Sequence, residues 1–110
     1  MELETAAHQL EALGNPNRLQ IYRTLVRAGR AGLAVGQVQE QVGLPASTLS
    51  HHLKRLIDRG LVRQDRAGNS LICHAEYPAM SALLGFLADE CCADETCGPS
   101  SDRAPEKVAG

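Results

Sequence analysis

Three of the chain's four cysteines, Cys91, Cys92 and Cys97, stand within seven residues, in the stretch DECCADETC at positions 89–97. Thiols so closely spaced can form a disulfide framework, ligate a soft ion or sense oxidants. Cys91 also continues an apolar helical stripe, so burial as a small core residue is a further reading for it. The compartment narrows these choices. The opening MELETAAHQLEAL has no basic segment followed by an apolar run, and no stretch reaches the roughly 18 consecutive apolar residues of a membrane span. The expectation is a soluble, cytoplasmic protein in reducing surroundings, with no membrane partner, where clustered thiols bind metal or do redox chemistry more often than they form structural disulfides. The acidic neighbours Asp89, Glu90, Asp94 and Glu95 disfavour thiolate and argue against ready oxidation.

Enzymatic chemistry finds little support. His8, His51, His52 and His74 show no arrangement of nucleophile, base and orienting group, there is no phosphate-cradling glycine loop, and three aromatic residues are few for shaping a substrate pocket. The expectation is a protein that is not an enzyme and has no organic cofactor. With 110 residues and 44% apolar composition, the chain suits one compact domain, expected over 1–97, followed by a disordered tail, GPSSDRAPEKVAG, over 98–110.

Charge is unevenly spread along the sequence. The net value is only -2, yet residues 1–17 carry Glu2, Glu4 and Glu11 and residues 67–110 carry seven acids against two bases. Residues 18–66 carry eight Arg and one Lys against Glu40, Asp58 and Asp65. A basic middle between acidic ends suits a local phosphate-binding surface, although solvated helix faces produce such runs as well.

The elements that must present these groups follow from periodicity, which predicts five helices and one hairpin. A first helix over about 5–13, with Leu10 and Leu13 as its apolar marks, stops at Gly14. The second starts at Asn15-Pro16, carries a broad apolar face of Leu19, Ile21, Tyr22, Leu25 and Val26, and ends at Gly29. RAGLA reads as a short loop, and a third helix follows over about 35–42. In GLPASTLSHHLKRLIDRG, Gly43 ends one helix and Pro45 and Ser47 suit the start of the next, which is the short turn of a helix-turn-helix. Leu49, Leu53 and Leu56 must face inward, which leaves Ser47, Thr48, Ser50, His51, Lys54 and Arg55 on the other sides. Such hydroxyls, imidazole and cations can donate to phosphates and reach base edges from a helix lying in the major groove. A merely solvated face fits these residues equally well.

The next segment favours DNA. LVRQDRAGNSLICHAEY reads as strands over 61–66 and 70–77 joined at Ala67-Gly68-Asn69, where Gly and Asn tolerate positive φ. A hairpin directly after a helix-turn-helix is a wing. Arg63 and Arg66 are placed to contact backbone or minor groove, and Leu61, Val62, Leu71 and Ile72 supply packing. Cys73 is read as packing. The fold class expected is therefore mainly α with a β-hairpin: a dimeric winged helix-turn-helix. A single reading helix covers few base pairs, so a dimer spanning half-sites roughly 34 Å apart is the usual remedy. A last helix carries Met80, Leu83, Leu84, Leu87 and Cys91 in one stripe, suited to the first helix and a partner subunit.

NPNRLQIYRTLV, QVQEQVGLPASTLSHHLKRLIDRGLV and the hairpin through Tyr77 resemble the ArsR/SmtB family of bacterial metalloregulatory repressors, over roughly residues 5–92. The resemblance implies a homodimer that binds an inverted-repeat operator in double-stranded DNA and leaves it when an inducer ion binds. Carried over, it makes Ser47, Thr48, Ser50 and His51 recognition contacts and Arg66 a wing contact, with His52 a semi-buried packing histidine. Family sensor sites elsewhere are absent: GQVQEQV has no cysteines, and no histidine or carboxylate lies between Pro78 and Asp89. Cys91, Cys92 and Cys97 resemble the three-cysteine site of arsenite-responsive members, which implies As(III) as inducer, with Sb(III) as another candidate. Three sulfurs complete the pyramidal shell of a trivalent pnictogen, whereas Zn(II) wants a fourth ligand such as His74, Cys73 or water. A thiol redox-responsive or Zn/Cd-responsive repressor is the alternative. Adjacent side chains in an intact helix point about 100° apart, so Cys91 and Cys92 can share an ion only where the helix ends.

Overall fold

Backbone devices set the helix ends in this computed structural model, which describes residues 1–95. Cys97 and the tail expected to be disordered, 98–110, lie outside the described residues. Helix α1 spans Leu3–Leu13 and α2 spans Pro16–Ala28. Between them the Asn15 side-chain oxygen accepts from the backbone N–H of Asn17 at 2.9 Å and of Arg18 at 3.1 Å, and Pro16 occupies the first turn, where it has no N–H to leave unpaired. Helix α3 covers Val35–Val42, and its start is closed by Gln37, whose Oε1 accepts from the Ala34 N–H at 2.9 Å. Gly43 ends it at φ +73 with its N–H on the Gln39 carbonyl. After the turn Gly43-Leu44-Pro45, helix α4 runs over Ala46–Asp58.

Strands β2 (Val62–Ala67) and β3 (Ser70–Ala75) pair antiparallel in the register Val62↔Ala75 to Ala67↔Ser70. The turn is thus two residues long, Gly68-Asn69, with Ala67 in the strand rather than in the loop. Gly68 alone takes a positive φ there, +63, as the first central residue of a hairpin turn. The chain then enters α5, Tyr77–Ala88, so the second strand stops two residues short of the expected end. RAGLA is more than a loop. Leu33–Ala34 forms strand β1, paired with β3 through Leu33↔Cys73 and Ala34↔Ile72, giving the sheet order β1-β3-β2. The mainly helical chain with a β-hairpin is a winged helix-turn-helix, as expected.

One core ties the layers together: Ile21, Tyr22 and Leu25 of α2, Val38 of α3, Leu49, Leu53 and Leu56 of α4, with Leu61 and, from the sheet itself, Val62, Cys73 and Ala75. Tyr77 pins the start of α5 to the last turn of α2, its hydroxyl donating to the Val26 carbonyl at 2.9 Å. Three apolar residues expected inside face outward: Leu10, Leu19 and Leu71. The buried face of α1 is instead Ala6, Gln9 and Ala12, which lets α1 lie close on its neighbours. Of the last helix's stripe only Leu83 is fully buried, while Leu84 and Leu87 are 58% and 56% exposed.

Gly32 shows where the sheet tolerates no side chain. At φ +70, a Cβ there would lie 2.5 Å from the Cys73 carbonyl oxygen and 2.7 Å from His74 Nδ1. Gly43 has a similar φ, but a Cβ would meet nothing within 4 Å. Gly32→Ala should therefore cost about 2–3 kcal/mol, strain and clash together, against about 1 kcal/mol for Gly43→Ala, where only the backbone conformation is disfavoured. Urea unfolding checks this as two midpoints lowered unequally with unchanged slope; equal shifts would contradict it.

Candidate nucleic-acid interface and thiol pair

Helix α4 is amphipathic in the strict sense. Leu49, His52, Leu53 and Leu56 are buried, and Ser47, Ser50, His51 and Lys54 lie exposed on the other sides. Thr48 is half-buried. Between α4 and the hairpin runs a groove of about 630 Å³, with Ser50 and Lys54 on its helix wall and Asn69 and Ser70 on its wing wall. Polar side chains thus stand on both walls of the groove, while Leu53, Ile57 and Leu71 also line it. Lys54 is loosely held by Asp58 one turn on, at 3.5 Å between exposed side chains, a pair too weak to withhold the ammonium from a phosphate.

The arginines divide into two groups. Arg66 is exposed near the wing tip and makes no ion pair among the described residues. Arg55 instead reaches across to α1, where its Nη2 lies 3.2 Å from Glu11 Oε1. Arg63 has two carboxylates, donating from Nε to Asp65 at 3.0 Å and from Nη1 to Glu76 at 3.2 Å. These pairs are exposed and of small worth, so Arg55 and Arg63 lean toward the protein's own acids without being withheld from a phosphate. No sequence pattern pointed to Glu11 or Glu76, which lie 44 and 13 residues from their arginines.

His74 and Cys73 sit adjacent on β3. The His74 Nδ1 is 3.1 Å from the Arg30 carbonyl oxygen and its Nε2 is 3.5 Å from Asp65. Cys73 is fully buried, accepts from Gln64 Nε2 at 3.5 Å, and has its thiol pKa raised by burial. Cys73 is closed to an incoming ion, whereas the partly buried His74 lines a cavity beside Arg63 and Glu76.

At the other end of the chain α5 stops at Ala88, and the backbone continues in successive turns: Cys91 N–H to Ala88, Ala93 N–H to Glu90 and Glu95 N–H to Cys92. Cys92 has φ +59, the one positive value outside glycine among the described residues. This left-handed step undoes the helical divergence of neighbouring side chains, and the two exposed sulfurs come to 3.8 Å. That is about the separation of two thiolates sharing one tetrahedral ion with bonds near 2.3 Å. Among the described residues no three His, Cys, Asp or Glu side chains are grouped to hold a metal. Cys97 lies outside them.

A contact not anticipated from the sequence lies behind α4. Arg18, only 7% exposed, donates from Nε to the Ala12 carbonyl at 2.7 Å and from Nη1 to His52 Nδ1 at 3.3 Å. His52 is 8% exposed. The signal was present in the phase of α2, where Arg18 falls three and four residues before the core positions Ile21 and Tyr22. Because the guanidinium can only donate, His52 Nδ1 must accept, which requires the imidazole to be unprotonated there. Burial and then the charge of Arg18 hold its pKa below the usual 6.5.

This helix-groove-wing surface defines a winged helix-turn-helix DNA-binding module. The profile of the helix-turn-helix domain family matches residues 13–65. Nodulation protein NolR of Rhizobium meliloti is 36% identical over 88 residues, covering 80% of this chain and 70% of that protein. The crystal structure of NolR from Sinorhizobium fredii superimposes with a TM-score of 0.64 at 35% identity, covering 78% of this chain and 83% of that one. A similar likeness, TM-score 0.63 at 27% identity over 87% of this chain and 89% of that one, holds for Mb0332 from Mycobacterium bovis. Its solution structure is of a homodimeric winged helix-turn-helix DNA-binding domain of a possible ArsR-family regulator. The chain belongs to the ArsR/SmtB family of helix-turn-helix transcriptional regulators.

The His52 contact carries a pH signature. A folded-state pKa below the unfolded value gives stability that is complete above about pH 6.5 and is lost as pH falls through the folded pKa. The urea midpoint of the wild type should fall on acidification from roughly pH 7.5 to 5.5, and more steeply than that of His52→Asn, which cannot take the proton. Parallel curves for the two proteins would rule this out.

Proposed function

We propose that the chain is a transcriptional repressor that binds an inverted-repeat operator as a homodimer and is released when As(III), or Sb(III), is captured by Cys91, Cys92 and Cys97. The observation carrying this reading is the pair of exposed sulfurs 3.8 Å apart just beyond the end of α5. It meets the condition that the helix must end before adjacent cysteines can face one ion. The spacer to Cys97 is four residues, Ala93 to Thr96, short and polar enough to fold back and deliver a third sulfur. A trivalent pnictogen is then saturated by thiolates alone and needs no fourth ligand from the fully buried Cys73.

In this reading Ser47, Thr48, Ser50, His51 and Lys54 face the major groove and Arg66 the flanking backbone. Arg55 and Arg63 act through Glu11, Asp65 and Glu76 as supports for helix and wing. Dimerisation draws on the leucines left exposed on α1 and α5, Leu3, Leu10, Leu84 and Leu87, and on the homodimer described for Mb0332. A 100-fold loss of DNA affinity requires the ion to favour the released state by about 2.7 kcal/mol, a small fraction of what three metal-thiolate bonds supply.

The same sulfur contact also suits oxidation, two thiols giving one disulfide and passing two electrons and two protons to a peroxide. A titration of operator-bound protein, followed by fluorescence anisotropy, separates the readings. As(III) and Sb(III) should release the DNA stoichiometrically, with Zn(II), Cd(II) and peroxide ineffective, and Cys91→Ser, Cys92→Ser or Cys97→Ser should each weaken the response at least 10-fold. Release by peroxide and by no ion would replace the proposal with a redox switch; an unchanged arsenite response in the triple serine variant would end it.

A further inference from the structure

Burying a guanidinium is costly, and an apolar side chain of similar length would fill the site of Arg18 without that cost. Among the described residues no carboxylate lies within ion-pair distance of it. Its partners are two neutral acceptors on different elements. The Ala12 carbonyl is among the last carbonyls of α1, which have no acceptor role left inside that helix and form its negative end. His52 Nδ1 belongs to α4. The planar fork of one side chain on α2 therefore fixes the end of α1 against the middle of the DNA-facing helix. A lysine, with a single ammonium on a flexible stem, does not reproduce a rigid two-acceptor geometry.

What this controls is legible on the other side of α4. His51 and His52 are adjacent, with ring centroids 5.7 Å apart, one buried against Arg18 and the other exposed on the polar face. Any rotation of α4 that moved His52 off Arg18 would swing His51, Ser47 and Ser50 by the same angle. Base contacts tolerate only some 10–20° of such error. Two further links join α1 to α4. Gln9 Nε2 donates to the Arg59 carbonyl at 3.0 Å, and Glu11 holds Arg55. The first grips the far end of the helix and the second is an exposed pair of small worth, so the seating at the level of the reading residues falls to Arg18.

We propose that Arg18 is a positioning residue for DNA recognition: by clamping His52 to the end of α1 it sets the rotation of α4, and so operator specificity, in addition to any part in stability. The proposal rests on α4 being the reading helix. Phosphate contacts, which carry affinity but not sequence, tolerate small rotations better than base-edge contacts do.

The test uses full-length protein, a duplex selected by the wild type from a random pool, and a scrambled duplex of the same composition. Arg18→Met and His52→Leu should each lower the ratio of selected to scrambled affinity about 10-fold while leaving the salt dependence of scrambled binding unchanged. Arg18→Lys should not restore the ratio. His52→Asn, whose Oδ1 can stand where Nδ1 accepts, should keep it within about 3-fold. Ile21→Val, a core change that lowers stability without touching the clamp, should leave the ratio intact. Should Arg18→Met fail to fold, His52→Leu alone decides. A ratio unchanged in His52→Leu, or lowered equally by Ile21→Val, overturns the proposal. Absence of any preference in the wild type would instead remove α4 as the reading helix.

Discussion

The helix proposed to read DNA, α4, must be held firmly by one side and left bare on the other, and the rest of this small protein follows from that requirement. Leu49, Leu53 and Leu56 enter a core supplied by α2, α3 and the sheet. Each contributes roughly 1.5–3 kcal/mol of burial, a large share of a net stability that for such domains is only about 5–15 kcal/mol. With three aromatic side chains in the whole chain, the core has few large residues to spare. Seating α4 and folding the domain are therefore largely one event, and the polar side of the helix can be given over to Ser47, Ser50, His51 and Lys54 without threatening the fold.

Hydrophobic force presses α4 inward but does not set its rotation, since leucines slide and repack within limits. Directional contacts supply that missing constraint. Arg18, Gln9 and Glu11 approach α4 from α1 and α2 and meet His52, Arg59 and Arg55. Polar contacts also reach the wing: Arg63 of β2 meets Glu76 ahead of α5, and Tyr77 ties α5 to the end of α2. Arg18 of the basic middle is thus structural, and the surface left for phosphate is narrower by that buried cation.

Local devices were legible in the sequence. Asn15-Pro16, Gly43 and Gly68 mark their element ends through conformations that few other residues adopt, and the helix-turn-helix followed by a hairpin could be read in order. What escaped depends on partners distant along the chain. Strand β1 is two residues long and exists only because β3 lies beside it. Leu10, Leu19 and Leu71 looked buried because periodicity registers residue type and not what stands opposite. Arg18 looked like surface charge for the converse reason, although its phase in α2 was that of the core. At the thiols, the sequence supplied a condition, that the helix must end before the cysteines face one ion. The end at Ala88 and the left-handed Cys92 satisfy it for Cys91 and Cys92, the pair within the described residues.

The proposed release of DNA needs more than capture of an ion, because a ligand that binds two states equally shifts neither. Cys91 stands four residues after Leu87, just beyond the end of α5, so the sulfur site adjoins the helix that carries the exposed Leu84 and Leu87. In the proposed mechanism the ion's energy is therefore spent first on the shape of the α5 end and on whatever Leu84 and Leu87 pack against in the dimer. Helix α5 lies against α1, and α1 is joined to α4 by Gln9, Glu11 and the Ala12 carbonyl held by Arg18. The step from α5 to α1 is packing, and directional contacts take over between α1 and α4. A shift of α1 by a fraction of an ångström reaches His52 through a rigid guanidinium, whereas the same shift spread through leucine contacts would be absorbed. The polar contacts proposed to orient α4 for reading are thus also the ones able to misalign it.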